Sequence, residues 1–563
     1  MLSFPNKYNR YMFLSYIKQN KFYIFATIIY IFSLLFVKEM NFLFYNTTDS
    51  PDFYRYFGYL EYNAGIIDYT DNEQGFAYYD IQSIYFYLKN YDITSNNFFV
   101  YIGKSIQEVN FILFLIGSAG VAKLLSTFKY NKVQIIVAMI FINFMPISIA
   151  QRIVFKPEIL AFALFPWVLV LLEKFFQTQD KLYLITAGSL SIILFSQKGS
   201  IFGMTIFVLI IYYSSKFLRL KDKKNIFLIL LPLLVFFVLL FQENNQLNQK
   251  NIFNIESISE REAKYDNKGT LSLLYKVNPK SLIYLPYKHR HNYSVMHITL
   301  LDSFGDYFDL YWDDDSQNYF KGRKDIVNFS LSEKMQPPKL NIQTNQITIF
   351  VQEDTDNSYL RKTTSLFISF FFYFMLVKHF LRADKNRKKF LTLPFIGFLI
   401  LTTHIITGFP ENNFDPNIGD TLKPLYYSFL IVIGMSFLIA EISNNKIKAN
   451  LVLIVFIPLF LFLYGFPKNY TDNLNIEINE LNSYSLFCAT NTKYFNFEYD
   501  YEKNYCVEKD DLNPYLISYD NFEYFEKQPN FHLFNYSIIL LNIALGAYLF
   551  IRKKVFREII ISQ

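Results

Sequence analysis

The sequence is poor in charge: only 18% of its 563 residues are Asp, Glu, Lys or Arg, whereas 52% are hydrophobic. Soluble globular domains carry roughly a quarter of charged residues, so this composition excludes an ordinary soluble enzyme. The lysines and arginines cluster in short segments between long apolar runs. The net charge of +6 is therefore not a sign of nucleic-acid binding. Together these features predict a polytopic membrane protein.

Several catalytic motifs are missing. The sequence holds no Walker loop, no dinucleotide fingerprint, no HExxH and no GxSxG in a hydrolase context. Ionisable residues are nearly absent from the apolar runs, with His404 as the clearest exception. Because transporters of protons and ions usually need intramembrane charges, this scarcity argues against transport. No internal repeat is visible either.

Cysteine is rare: the chain has two, Cys488 and Cys506. Both lie in one polar segment near the end of the sequence. An oxidising compartment would permit a disulfide between them, and two unrelated thiols are the alternative.

Long apolar runs are what the sequence has in abundance. About twelve satisfy the length of roughly 17–25 residues that a membrane-spanning helix needs. They predict an all-α polytopic membrane protein with about twelve transmembrane helices and exoplasmic segments of mixed structure. No cleavage pattern follows the first run, so we expect it to be an anchor. The runs lie near 22–40, 107–126, 133–150, 158–175, 182–197, 201–217, 225–241, 364–380, 391–408, 425–440, 449–465 and 533–551.

The basic residues predict the orientation. Short basic connections alternate with polar ones, and basic connections face the cytoplasm, so we expect both termini in the cytoplasm. The predicted exoplasmic connections are 41–106, 151–157, 198–200, 242–363, 409–424 and 466–532. The predicted parts are an N-terminal membrane module (1–241), a large exoplasmic loop (242–363), further membrane helices (364–465), an exoplasmic segment (466–532) and a last span with a cytoplasmic tail (533–563).

The first exoplasmic connection contains NTTDSPDFYRYFGYLEYN at 46–63, with Asp49, Asp52 and Arg55. A carboxylate at the membrane surface can act as a general base towards a hydroxyl. A solvated acidic loop or a helix cap is the alternative. Downstream, residues 76–90 have helical spacing, which fits a helix on the membrane surface or a buried one.

Cations also occur in two other predicted exoplasmic turns, although Lys and Arg are usually concentrated in cytoplasmic connections. Arg152, Lys156 and Glu158 belong to RIVFKPE at 152–158, and Lys198 lies in SQKGS. Arg and Lys bind phosphate oxygens, so these residues are candidates for contacting a lipid-linked phosphate. An ion pair with Glu158 or a lipid-headgroup contact is the alternative.

The large loop holds the densest polar cluster, at 287–315, with His289, Arg290, Asp302 and Asp306. Arg290 and an aspartate could bind a sugar or phosphate. Carboxylates and imidazoles together could also hold Mg²⁺ or Mn²⁺, but the spacing matches no defined metal site. The sequence thus predicts no certain cofactor.

Three stretches resemble the GT-C superfamily of integral-membrane glycosyltransferases. DSPDFYRYFGYLEYN is similar to the acidic motif after the family's first span. RIVFKPEILAFALFPWVLVLLEKFF resembles the fourth-span region of the mannosyl- and aminoarabinose-transferase branches, and SFGDYFDLYW is similar to exoplasmic segments of other members. The acids here are spaced DxxD, whereas the family more often has DE or DxD. The likeness in layout covers most of the chain.

The resemblance implies sugar transfer from a polyprenyl-phosphate donor to a lipid, glycan or protein acceptor on the exoplasmic face. It implies Asp52, or else Asp49, as the general base. Membrane lipids are expected partners and nucleic acid is not. Two alternatives stay open: a polymerase of O-antigen-like repeat units and a transporter of lipid-linked glycans. Donor-phosphate or substrate contacts would come from Arg55, Arg152, Lys156, Glu158, Lys198, His289, Arg290, Asp302 and Asp306.

Overall fold

The computed structural model of the chain describes residues 24–37, 59–60, 63, 77–89, 98–153, 155–219, 231, 234–235, 277–284, 286, 294–305, 338–341, 346–349, 358–408, 424–464, 497–500, 505–508, 540–549 and 552. Six of the predicted site residues lie outside these ranges: Asp49, Asp52, Arg55, His289, Arg290 and Asp306. Cys488 also lies outside them, and only the backbone of Cys506 is described, so the predicted disulfide stays untested.

The described part of the chain is mostly helical, as the sequence predicts. The helices are α1 (Ile24–Val37), α2 (Ala77–Lys89), α3 (Phe98–Thr127), α4 (Lys132–Phe144), α5 (Pro146–Ile153), α6 (Glu158–Thr178), α7 (Lys181–Phe195), α8 (Gly199–Leu218), α9 (Pro279–Tyr284), α10 (Val295–Ser303), α11 (Ser358–Arg382), α12 (Lys385–Leu391), α13 (Leu393–Gly408), α14 (Ser428–Ile442), α15 (Lys446–Tyr464) and α16 (Leu540–Leu549). A 3₁₀ turn, Pro424–Tyr427, precedes α14.

Two short antiparallel hairpins lie in the predicted exoplasmic segments. Strand β1 (Pro338–Asn341) pairs with β2 (Gln346–Ile349), and β3 (Phe497–Asp500) pairs with β4 (Tyr505–Glu508). The mixed structure expected of the exoplasmic segments stays a prediction.

Six of the described helices are long and apolar enough to cross a membrane, and the bent pair α4–α5 would make a seventh span. The membrane character and the helical fold are confirmed, whereas the count of twelve stays a prediction. Shorter apolar helices occupy four more of the predicted runs, at Ile24–Val37, Lys181–Phe195, Leu393–Thr403 and Leu540–Leu549. The six long spans are Ser105–Thr127, Glu158–Thr178, Gly199–Leu218, Tyr359–Arg382, Pro424–Ile442 and Lys446–Leu463.

Two spans form the interior of the bundle. In the most apolar stretches of Glu158–Thr178 and Pro424–Ile442, 78% and 83% of the residues are buried, compared with 28% for Lys446–Leu463. The α3–α6 contact is close because glycine faces it: a Cβ on Gly117 would stand 2.5 Å from the Phe162 ring. Small residues allow such an approach between membrane helices, where packing rather than water drives association.

A bend of 63° separates α4 from α5. It falls at Pro146, whose ring nitrogen cannot donate the hydrogen bond that would continue α4. Met145 accordingly adopts an extended conformation (φ −64°, ψ 127°), as residues before proline prefer. The bend directs α5, which carries Arg152, across one end of the bundle, where it packs on α3, α14 and the 3₁₀ turn.

Helices α6 and α8 run in the same direction and carry an ion pair near each end. Glu158 and Lys198 pair where the two helices begin, and Glu173 and Lys216 pair near their C-terminal ends. At about 1.5 Å per residue the two pairs are some 22–27 Å apart, close to the roughly 30 Å of a bilayer's hydrocarbon core. We call the end with Arg152, Glu158 and Lys198 the polar end, and the end with Glu173 and Lys216 the basic end.

Candidate functional site

The polar end brings together five of the predicted site residues. Arg152 is on α5, Lys156 and Glu158 lie at the turn into α6, and Lys198 directly precedes α8. Asp302 is buried on α10, a helix that packs against both α5 and the 3₁₀ turn. The structure therefore gathers cations and carboxylates from three separate parts of the sequence: 152–158, Lys198 and Asp302.

Arg152 is among the largest fully buried side chains of the described residues. The sequence placed it in a short exoplasmic turn, whereas it lies in the last turn of α5. Its guanidinium donates to the carbonyl oxygen of Asn143 from Nη1 and Nη2, at 3.2 and 3.3 Å. The same group lies 4.5 Å from the centre of the Phe114 ring. A guanidinium tolerates such burial better than an ammonium because it is less strongly hydrated and stacks on aromatic rings.

The backbone around Arg152 is held by α2 and α3. Asn110 of α3 donates to the carbonyl oxygen of Arg152 (3.0 Å), and the Tyr78 hydroxyl donates to Asn110 Oδ1 (2.8 Å). Burial raises the pKa of Tyr78 well above its ordinary value, so the hydroxyl stays a donor at all physiological pH values. These hydrogen bonds link α2, which belongs to the predicted first exoplasmic connection, through Asn110 to the backbone of Arg152 on α5.

The burial of α2 distinguishes between the surface helix and the buried helix predicted for residues 76–90. Tyr78, Asp80 and Gln82 are buried, whereas Tyr87 and Leu88 are exposed. The first half of α2 is therefore a packed helix, and Asp80 accepts a hydrogen bond from Asn63 (3.0 Å). The polar positions in that half face the protein rather than water.

Glu158 and Lys198 form an ion pair with an N–O distance of 3.1 Å. Glu158 is fully buried, and Lys198 Nζ also lies 4.1 Å from the centre of the Tyr426 ring. Glu158 stands in the first turn of α6, where the positive end of the helix dipole favours a carboxylate. The sequence suggested Arg152 or Lys156 as the ion-pair partner of Glu158, whereas the pair that the structure shows is with Lys198.

Several buried polar atoms of residues next to Arg152, Glu158 and Lys198 in the sequence have no hydrogen-bond partner. Within the described part of the chain, both amide atoms of Gln151, Oε2 of Glu158 and Oε1 of Gln197 have none. More than nine in ten buried polar groups in proteins are partnered, so these atoms indicate a site for water or a polar ligand. Elsewhere in the bundle the unpartnered groups are mostly single hydroxyls, such as those of Ser118 and Ser189.

Helix α10 belongs to the predicted large exoplasmic loop and packs against the polar end. Thr299 lies 3.2 Å from the Tyr427 hydroxyl, and Ser303 lies 2.9 Å from the Tyr373 hydroxyl. His297 is buried, and its Nε2 accepts the backbone N–H of Asn278 at 3.2 Å. That imidazole therefore has a structural role, whereas Asp302 lies on the part of α10 that carries these tyrosine contacts.

No group of three or more His, Cys, Asp or Glu in the described ranges is arranged to hold a metal ion. The one carboxylate at the centre of the polar end, Glu158, is already bound by Lys198.

Sequence reasoning missed several residues of this site. Tyr426, beneath Lys198, and Gln151 were not singled out. Asn110 was recognisable in principle, because a carboxamide inside an apolar run needs a partner. Comparison with protein-family models, curated proteins and solved structures finds no match to this chain.

Proposed function

We propose that the chain is a membrane glycosyltransferase of the GT-C type. It would transfer a sugar from a polyprenyl-phosphate carrier to a lipid, glycan or protein acceptor at the exoplasmic surface. The observation that carries this proposal is the polar end, where Arg152 and Lys198 are buried or nearly so beside unpartnered polar atoms. Preorganised cations of this kind stabilise the charge that develops on a departing phosphate.

The distribution of charge supports the orientation. The described cations of the basic end are numerous and include Lys129, Lys181, Arg387 and Lys446, whereas those of the polar end are fewer and include Arg152, Lys156, Lys198, Arg361 and Lys362. Basic connections face the cytoplasm, so the polar end would face the exoplasm. Twelve spans with both termini in the cytoplasm fit this arrangement.

In the proposed reaction the acceptor hydroxyl oxygen attacks the anomeric carbon of the sugar. Asp52, or else Asp49, takes the hydroxyl proton. The bond between the anomeric carbon and the phosphate oxygen breaks, and polyprenyl phosphate leaves with the electron pair. Arg152, Lys156 and Lys198 bind that phosphate, and Arg55 and Arg290 are further candidates.

A described residue of the first connection packs near the segment that carries the cations. Tyr59, seven residues after Asp52, stacks on Tyr79 with ring centres 4.3 Å apart. Tyr79 in turn contacts Phe155, in the turn between Arg152 and Glu158, with ring centres 5.5 Å apart. Tyr59 is thus linked through Tyr79 to the segment that carries the cations.

The test is a comparison of surface glycans and glycolipids by mass spectrometry. The strains are a gene deletion and the same deletion complemented with the native gene, Asp52→Asn, Asp49→Asn or Asp180→Asn at matched expression. Asp180 caps α7 at the basic end through its side chain, and Asn caps equally well, so this variant is the control.

We expect one sugar to be missing from the deletion and from Asp52→Asn, with a native profile for Asp180→Asn. Native profiles for both Asp52→Asn and Asp49→Asn would contradict the proposal. Glycans shortened to single repeat units would instead indicate a polymerase. Intact lipid-linked glycan retained on the cytoplasmic side would indicate a transporter.

A further inference from the structure

The basic end holds a cavity of about 690 Å³. It opens where α3, α6 and α8 end and where α11 turns into α12. Its charged lining consists of Lys129, Glu173, Lys216, Arg219, Asp384 and Arg387. Because α3, α6 and α8 are candidate membrane spans, the cavity lies at a membrane boundary. It is independent of the function proposed for the polar end.

Positive charge exceeds negative charge around this cavity. Glu173 is shared by two ammonium groups, Lys216 at 3.0 Å and Lys389. Arg387 pairs with Glu441 at 3.1 Å, outside the cavity lining. Neither Lys129 nor Arg219 lies within ion-pair distance of a carboxylate among the side chains that the structure describes. Two rim cations are therefore available to a ligand.

The backbone at the rim is unusual as well. Lys129 (φ 63°) and Gln179 (φ 59°) are the non-glycine residues with positive φ in the described ranges, and both line the cavity. Each follows the C-terminus of a helix, where glycine adopts this conformation without strain. Long polar side chains at both positions extend the cavity wall in a way that glycine could not.

We propose that this cavity binds a phosphate-bearing anion at the membrane boundary. The volume lies in the range of small-molecule sites, roughly 300–1,000 Å³, and exceeds what a bare phosphate fills. Arg and Lys clusters are the usual partners of phosphate oxygens. The headgroup of an anionic phospholipid and a soluble phosphate compound share this chemistry, and basic pockets between spans are known to take such headgroups.

Cations at helix C-termini also stabilise the helix dipole, so the test contrasts cations inside and outside the cavity. The cavity variant is Lys129→Gln with Arg219→Gln, both at the exposed rim. The matched control is Arg382→Gln with Lys448→Gln, which removes the same charge from exposed residues at the same end of the bundle. Circular dichroism verifies the helical content of each full-length protein.

Short-chain phosphatidylglycerol, short-chain phosphatidylcholine, glycerol 3-phosphate and inorganic phosphate are titrated separately into the purified protein at constant ionic strength. For the native protein we expect phosphatidylglycerol or a soluble phosphate to bind more tightly than phosphatidylcholine. The cavity variant weakens that binding about tenfold, as expected for the loss of charge-assisted hydrogen bonds, and the control changes it less than about twofold.

The ligand series separates the two sources. Binding of phosphatidylglycerol alone assigns the cavity to a lipid headgroup, whereas comparable binding of glycerol 3-phosphate or inorganic phosphate assigns it to a soluble compound. Equal weakening by the cavity variant and by the control overturns the proposal, because general surface charge then accounts for the binding. No preference over phosphatidylcholine for any of the phosphates overturns it too.

Discussion

Each end of the α6–α8 helix pair carries a Glu–Lys ion pair, and the two pairs differ in how many carboxylate oxygens are bound. At the basic end both oxygens of Glu173 are engaged, one by Lys216 and the other by Lys389 and Lys216. At the polar end Glu158 is fully buried, yet only Oε1 is bound, by Lys198, while Oε2 has no partner among the described residues. The saturated pair closes the structure, whereas the unsaturated pair retains capacity for a ligand.

The arginines of the two ends show the same contrast. Each guanidinium lies 4.5 Å from an aromatic ring centre, Arg152 over Phe114 and Arg387 over Tyr130. Each donates to a backbone carbonyl oxygen. Arg387 is neutralised by Glu441 and is partly exposed, whereas Arg152 is fully buried and donates to a carbonyl. The two guanidinium groups thus lie in different surroundings, one fully buried and the other in a partly exposed ion pair.

The largest effect is expected from exchanging these arginines for glutamine. Arg152→Gln should lower glycosyl transfer by on the order of a hundredfold or more, the usual loss when a preorganised charge stabiliser is removed. Arg387→Gln should leave the glycan profile native. Arg152→Lys keeps the charge but loses the planar fork, so its activity should fall between the two. The measurement is transfer to acceptor per folded protein, quantified by mass spectrometry.

Protein amount and melting temperature control for loss of folding in these variants. Equal losses for Arg152→Gln and Arg387→Gln at equal folded amounts would show that the two ends do not differ in function. Full activity of Arg152→Gln would remove this residue from the proposed phosphate site.

The second prediction concerns stability. Lys198→Met leaves the carboxylate of Glu158 buried without its cation, and breaking a buried pair in this way costs about 3–5 kcal/mol. Lys216→Met should cost much less, about 1 kcal/mol, because Glu173 keeps Lys389. Unfolding of the purified variants in a mixed-micelle titration measures both free energies. Similar losses at the two sites would show that Glu158 has another compensating cation.

A double variant separates the effect of the Glu158–Lys198 ion pair from that of the other contacts of Lys198. Glu158→Gln combined with Lys198→Met removes both charges, so it should recover most of the stability that Lys198→Met loses. No recovery would mean that Lys198 stabilises the fold mainly through its contact with the Tyr426 ring.

Much of the fold was predictable, because apolar runs and helix signals are local. The run placed at 158–175 corresponds to α6, which starts at Glu158 directly after Pro157. Pro146 is visible in the sequence too, but apolar composition alone does not reveal a bend, so the sequence predicts one span at 133–150. The burial of Arg152 was not predictable, because it depends on Phe114 and on the carbonyl oxygen of Asn143, which only the folded bundle brings near.

The same holds for partners. The sequence placed Lys198 and Glu158 on one side of the membrane by topology. It could not pair them, since residues 40 positions apart are joined by the packing of α6 and α8. The buried half of α2 was equally hidden: Asp80 and Gln82 look like surface residues until their partners Asn63 and Asn110 are known.

The smallest expected effect is a shifted titration at the basic end. The pKa of Lys389 is lowered from its ordinary value of 10.5 to about 8. Burial is the largest cause and the charge of Lys216 adds to it, whereas Glu173 opposes the shift. The phenol rings of Tyr212 and Tyr213 also face this amine. Between pH 8 and pH 10.5 the folded protein has lost this proton and the unfolded chain has kept it. The contribution of Lys389 to stability therefore rises with pH across that window, and its penalty is complete below about pH 8.

Pulse acetylation at a series of pH values, read by mass spectrometry of the peptides, measures the titration directly. We expect the labelling of Lys389 to have its midpoint near pH 8, below the ordinary lysine value of 10.5. Glu173→Gln should lower the Lys389 midpoint further, since the carboxylate favours the charged amine. A bound phosphate-bearing anion should raise it for the same reason. A midpoint for Lys389 at its ordinary value of 10.5 would mean that the basic end is as well solvated as the surface, and that its ion pairs do not close the structure.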